Sequence, residues 1–222
     1  GLIELVPEYA GTALRFASLG ADADATDVAS TQDELGRLMA THHVSVLAPA
    51  PAEDANVFVV RRETAERHGL VALSDLAPVA ARLTFGGPPE CPRRPFCLMG
   101  LERVYGVSFD EVVSLDAGGP LTKQALRTRV VDVALLFSTD PDTARDDVVQ
   151  LVDDRLLQPA ENVTPLVRTE TLERFGPSLR TAVDAVSARL TTEALRTLNT
   201  EVAGGTSVRA VAARWLRSEG LR

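Results

Sequence analysis

Between residues 48 and 54 the chain reads Ala48-Pro49-Ala50-Pro51-Ala52-Glu53-Asp54. Two alternating prolines each remove a backbone donor and fix φ, so the segment is neither helix interior nor central strand. An extended connector is what remains, and it interrupts whatever sheet the flanking residues build. Gln158-Pro159-Ala160-Glu161-Asn162 reads as a second connector. The stretch 56–159 is therefore expected to be one α/β lobe. The outer stretches 1–55 and 160–222 pair into the other, with hinge connectors at about 48–56 and 156–162. This layout is that of a two-lobed protein expected to hold a ligand between its lobes.

Periodicity supplies the elements. Short runs rich in β-branched and apolar residues predict strands at 44–47, 56–61, 81–85, 110–115, 130–137 and 148–152, and the apolar start at 2–6 predicts a buried strand. Helical spacing predicts helices at 11–19, from Ser30 as cap to about His42, at 63–68 with Gly69 as the stop, at 98–105 and at 121–128. From Thr169 onward the pattern is nearly all helical, at 169–175, 178–190, 192–202 and 207–220. Strands alternating with helices predict an α/β fold with a mostly parallel sheet and a helical C-terminal tail.

Charge and motifs narrow the function classes. The formal net charge is -8, and an acidic surface repels phosphate backbones and anionic lipid. No apolar run reaches the roughly 18 residues that a membrane span needs, so no direct membrane insertion of this segment and no nucleic-acid partner are expected. No basic region followed by an apolar stretch opens the chain, so no signal segment is read from it. His42, His43 and His68 lie at predicted helix ends, where solvated or dipole-facing roles suit them. Asp146-Asp147 and Asp153-Asp154 read as turn charges flanking a strand. No Gly-x-Ser-x-Gly, phosphate-binding or dinucleotide-binding motif occurs, so neither an enzyme nor a cofactor is expected. Cys91 and Cys97 enclose five residues in a Pro-rich segment, and no His lies near them for a zinc site. A disulfide-closed loop in an oxidising compartment is the preferred reading, with two unpaired thiols as the alternative.

One segment carries a resemblance. Val6-Pro7-Glu8-Tyr9-Ala10-Gly11-Thr12 is similar to the Pro-Glu-Tyr-Thr-Gly-Thr signature of the glycine betaine/choline-binding proteins of ABC importers. Later segments follow that family's order: Asp54-Ala55-Asn56-Val57-Phe58, Leu73-Ser74-Asp75-Leu76, Arg94-Pro95 with Gly100-Leu101 and Tyr105-Gly106, and Asp132-Val133-Ala134 through Phe137-Ser138-Thr139-Asp140. Gln158 to Asn162 falls where many members read Pro-Pro-Tyr-Asn, and Leu190-Thr191-Thr192-Glu193 with Leu198-Asn199 also fits. The resemblance implies a two-lobed, type II periplasmic-binding-protein-like fold. Its first lobe is N-terminally shortened, because members begin with a strand and helix ahead of the signature. Exposed strand edges, marginal stability, a partner or a swapped lobe would follow.

The resemblance further implies an extracytoplasmic receptor, secreted or lipid-anchored, whose partners are a quaternary-ammonium solute and a membrane permease. A trimethylammonium group has no N–H donor, so aromatic faces hold it at about 0.5–2 kcal/mol per contact. Transferred residue by residue, Tyr9 is the retained box tyrosine and Thr12 its polar neighbour. Asn56 enters with the strand of the second lobe, while Phe58 and Phe137 stand where tyrosines are usual. Arg94 is placed to grip a ligand carboxylate. At Glu161 an acid replaces a tyrosine, which would favour a net cation such as choline over a zwitterion such as glycine betaine. The competing readings are a ligand-sensing regulatory domain, a small α/β enzyme, and a shortened homologue that binds a protein instead of a solute.

Overall fold

The computed structural model describes residues 3–19 and 27–221. From the N-terminus come β1 (Leu5–Tyr9), α1 (Ala10–Ala17), α2 (Val28–Ala40) and β2 (Val44–Val46). Next follow β3 (Asn56–Arg61), α3 (Arg62–His68), β4 (Thr84–Gly87), α4 (Leu98–Tyr105), β5 (Glu111–Ser114), α5 (Pro120–Arg127), β6 (Val133–Phe137) and β7 (Val148–Gln150). The chain ends with β8 (Val163–Arg168), α6 (Thr169–Phe175), α7 (Pro177–Ser187), α8 (Thr192–Ala203) and α9 (Val208–Ser218). Two compact units result: Gly1–Asp54 with Pro159–Arg222, and Ala55–Gln158.

The first unit holds a three-stranded antiparallel sheet ordered β1-β8-β2. Arg168 N–H donates to Glu4 and Ala10 N–H to Asn162, so the even-numbered residues of β1 face β8. Pro7 thus turns its missing donor to the open side of an edge strand, where a proline is tolerated. Its register partner, Pro165, lies in the central strand and donates nothing towards β2. Leu47 N–H still donates to the Pro165 carbonyl at 3.0 Å, but the bond is not returned, and β2 stops at Val46. The expected buried strand at 2–6 is corrected: it lies at 5–9, at the sheet edge, with every residue exposed or half-buried, and Leu2 lies outside the described residues. Apolar content alone does not bury a strand that has a partner on one side only. The core of this unit gathers Ala10, Ala13, Leu14, Leu35 and Leu166.

Helix α2 begins earlier than its sequence suggests. Asp27 is the cap, accepting Ser30 N–H at 3.0 Å, while the Ser30 hydroxyl receives Asp27 N–H, a reciprocal capping box. A carboxylate cap satisfies the first-turn donors and favours the dipole at once, which moves the start ahead of Ser30.

The second unit is a five-stranded mixed sheet ordered β5-β4-β6-β3-β7. Only the pairings of β4, with β5 and with β6, are parallel, and β3 runs antiparallel to both β6 and β7. The expectation of a mostly parallel sheet is therefore corrected. Helical crossovers enforce parallel pairing, and β3 arrives from a connector without one. Strand β3 is buried on both faces: Phe58 and Val60 enter a core with Phe85, Leu101 and Leu135, while Val57 and Val59 pack with Leu126, Ala134 and Leu136. A continuous apolar run is what two covered faces require.

Candidate functional site

The candidates of the first unit converge on the start of α1. Tyr9 is the residue before the helix and offers no side-chain cap. Helix α1 leaves its first amides without intrahelical partners, and the second connector supplies them. Ala10 N–H donates to the Asn162 carbonyl at 3.1 Å and Gly11 N–H to the Ala160 carbonyl at 3.0 Å. Thr12 N–H donates to Glu161 Oε2 at 3.0 Å, and the Thr12 hydroxyl to Glu161 Oε1 at 2.7 Å. Glu161, 149 residues away along the chain, is thus the cap that Tyr9 does not provide.

Gly11 makes this approach possible. A Cβ there would stand 2.7 Å from the Pro159 Cβ and 3.1 Å from the Ala160 oxygen, so any side chain pushes the connector off the helix. The Glu161 side chain is buried, and that burial raises its pKa against the lowering effect of the Thr12 and Gly11 donors. Tyr9 keeps 41% of its surface exposed. Its pKa is pushed up by partial burial first, then by the nearby Asp54 carboxylate and, further down, by Glu8 and Glu161. The result is a part-exposed aromatic residue near carboxylates. A cation fits such a surface and an anion does not.

In the second unit Asn56 and Phe137 are register partners at the end of β3 and β6, so two of the candidates lie side by side. Asn56 Nδ2 donates to the Phe96 carbonyl at 3.2 Å and to Gln158 Oε1 at 3.3 Å, and Gln158 Nε2 donates to the same carbonyl at 3.0 Å. The half-buried Phe137 ring lies against Gly118, where a Cβ would meet it at 3.2 Å. Phe58 is corrected as a ligand residue. It is 1% exposed, with its ring 6.2 Å from that of Phe85 in the core. Two residues further along the strand from Asn56 places it about 7 Å deeper on the same face. Arg94 is exposed and pairs at 3.8 Å with Glu90, one turn before it.

Cys91 and Cys97 are joined by a disulfide, with Cα atoms 5.3 Å apart. The closed loop presents the Phe96 carbonyl that Asn56 and Gln158 share. Gly100 fits beneath it because a Cβ there would run into the Pro95 carbonyl oxygen. Gln158 is held in turn by Asp153, which accepts Gln158 N–H at 2.8 Å, Leu157 N–H at 2.9 Å and the Tyr105 hydroxyl. Asp54, Gln158 and Asp153 were not among the sequence candidates. Asp54 and Gln158 act on residues distant in the chain, which leaves no local signal, whereas Asp153 accepts from Leu157 and Gln158 just after it as well as from the distant Tyr105.

No helix among the described residues is long and apolar enough to cross a membrane. A family model described as the substrate binding domain of ABC-type glycine betaine transport system matches residues 1–218. The glycine betaine-binding protein YehZ of Escherichia coli (strain K12) is 27% identical over 230 residues, 99% of this chain and 75% of that protein. The carnitine transport binding protein OpuCC of Listeria monocytogenes is 29% identical over 149 residues, 67% of this chain and 47% of that protein. Among solved structures, a glycine betaine/carnitine/choline ABC transporter protein superposes with a TM-score of 0.82 at 26% identity, covering 100% of this chain and 80% of that one. The fold is thereby the α/β fold of type II periplasmic binding proteins. Substrate-binding proteins of ABC importers act outside the cytoplasm. The chain belongs to the family of substrate-binding domains of ABC-type glycine betaine transport systems, a family of solute-binding proteins and not of enzymes.

Proposed function

We propose that this chain captures a quaternary-ammonium solute, of the glycine betaine and choline class, and hands it to the permease of an ABC importer. The observation that carries this reading is the part-exposed Tyr9 ring at the start of α1, near the carboxylates of Asp54 and the buried Glu161. Thr12 supports the arrangement by holding Glu161 in place. Delivery then takes place on the extracytoplasmic face, from a secreted or lipid-anchored receptor.

A thermal-shift panel of glycine betaine, choline, carnitine, proline betaine and ergothioneine tests the reading. A ligand at a hundredfold excess over its Kd stabilises the native state by about 2.7 kcal/mol. A selective upward shift that Tyr9→Ala removes is expected. A folded chain that none of the five stabilises would exclude the solute-receptor reading.

A further inference from the structure

We infer that the Cys91–Cys97 disulfide is a redox-set clasp. Once formed, it fixes one carbonyl, that of Phe96, which holds the chain both where it enters the second unit and where it leaves. That unit runs from Ala55 to Gln158. Asn56, the first residue of β3, donates from Nδ2 to the Phe96 carbonyl at 3.2 Å, and Gln158 donates from Nε2 to the same oxygen at 3.0 Å. A bond of 3.3 Å from Asn56 Nδ2 to Gln158 Oε1 joins the two side chains to each other. Two segments 102 residues apart thus share one acceptor.

The bridge decides where that acceptor stands. Phe96 directly precedes Cys97, and its carbonyl belongs to the peptide group they share. Pro92, Arg93 and Arg94 of the loop are exposed, whereas Cys91 and Cys97 are 0% and 2% exposed and lie in one core with Leu101, Tyr105 and Leu157. Cys97 is also the residue before α4, where it offers no side-chain cap because its sulfur is committed to the bridge. The exit segment packs against the same helix. A Cβ at Gly100 would stand 2.5 Å from Leu157 Cδ1, and Asp153 accepts the Leu157 and Gln158 amides as well as the hydroxyl of Tyr105, the last residue of α4. Opening the bridge frees Cys97, and the Phe96 carbonyl moves with it. A part-buried donor left without its acceptor is destabilising in itself, so Asn56 and Gln158 must then find new partners or open to water.

Closing the bridge removes two electrons and two protons from the cysteines. One thiolate attacks a sulfur of a disulfide oxidant and expels a thiol; the second thiolate displaces the other, leaving Cys91–Cys97 and two reduced thiols. A dithiol reverses both steps. Exchange needs access to sulfur, and both sulfurs are buried in the folded unit, so the clasp is set while the unit folds and is shielded afterwards. A chain folded among reduced thiols therefore keeps its sheet and lacks the clasp, and one folded in an oxidising compartment acquires it.

Amide hydrogen exchange of the whole chain, refolded from urea with either oxidised glutathione or dithiothreitol, tests this. Labelling is kept short, so that the amides of β6 stay protected in every folded sample. The Leu157 and Gln158 amides are expected to exchange about tenfold faster in the dithiothreitol sample, and equally so in a Cys91→Ser, Cys97→Ser chain. Gln158→Ala keeps the bridge and both amide bonds to Asp153 but removes the exit side chain from Phe96. With the bridge closed it should exchange at Leu157 as fast as the unmodified chain with free thiols, an effect that a staple of the loop alone would not produce. Faster exchange confined to residues 91–98 in the thiol forms would overturn the clasp. A Gln158→Ala chain as protected at Leu157 as the unmodified oxidised one would overturn it as well, and that variant decides even where the thiol forms do not fold. Neither outcome touches the solute-receptor reading, which the thermal-shift panel tests separately.

Discussion

Replacing Gly11 by alanine adds one methyl group at the point where the second connector crosses the first turn of α1. The new Cβ would stand 2.7 Å and 2.8 Å from two Pro159 carbons, so the connector must retreat by about 0.7 Å to reach ordinary contact at 3.4 Å. Overpacking of this kind costs about 1–3 kcal/mol. The retreat also stretches the Gly11 to Ala160 bond and draws Glu161 away from Thr12, at about 1 kcal/mol for each bond weakened. Against this stands a helix-propensity gain of at most about 1 kcal/mol. A net loss of about 2 kcal/mol is expected. Gly36, within α2, is the control: a methyl group placed there would meet nothing within 4 Å, so Gly36→Ala collects the propensity gain alone and should stabilise by about 0.5–1 kcal/mol. Urea unfolding followed through the single tryptophan, Trp215, reads both variants, because α9 belongs to the same unit as both glycines. With a slope of about 1–3 kcal/mol per M, the Gly11 variant should move the midpoint down by roughly 1 M. A Gly11→Ala protein as stable as the unmodified chain would refute the packing of the connector on α1, and with it the capping role of Glu161.

Phe58→Ala should lower stability by about 3–5 kcal/mol through a core cavity, whereas Tyr9→Ala should leave the urea midpoint nearly unchanged and weaken quaternary-amine binding by about 3- to 30-fold; the opposite pattern would return Phe58 to the ligand. Reduction of Cys91–Cys97, or their joint replacement by alanine, opens a short loop and should cost about 2 kcal/mol in urea unfolding followed by far-UV circular dichroism, which reports the second unit as well; no loss would mean that the hydrogen bonds at Phe96 alone hold the loop. Glu63 accepts hydrogen bonds from Arg129 first and Arg61 second, which lower its pKa from 4.5 to about 2. A depressed carboxylate stabilises the fold above its ordinary pKa and loses that contribution as pH falls towards the folded value, so stability should decline between pH 4.5 and about 2. Glu63→Gln should flatten that part of the pH profile, and an identical profile in the variant would show the ion pairs to be inert.

Much of the secondary structure was legible because its signals are local. The β-branched run from Asn56 and the glycine after His68 each act within about one turn of the residues they define. The Pro-Glu-Tyr-Ala-Gly-Thr segment was legible as a resemblance, and the structure supplies its physics. Gly11 admits the connector, Thr12 offers two donors, and Tyr9 ends the strand. Strand direction in the second unit was misread, since alternation of strands and helices is silent on how a strand without a crossover enters the sheet. Phe58 was misread for a related reason. Alternation gives the face on which a side chain lies but not its depth along the strand.

Sequence by itself determined which segments could be helix, strand or connector and that the net charge is acidic; the candidacy of Tyr9 for holding a cation came from the resemblance. Tertiary structure alone decided that Glu161 lands on Thr12, that the Asp54 carboxylate comes near Tyr9, and that Asn56 and Gln158 share one carbonyl of the cysteine loop. The first set follows from interactions over a few residues, which any window of the chain contains. The second depends on partners brought together across 40 to 149 residues, and their meeting is set by sheet register and by the one glycine that lets the connector approach.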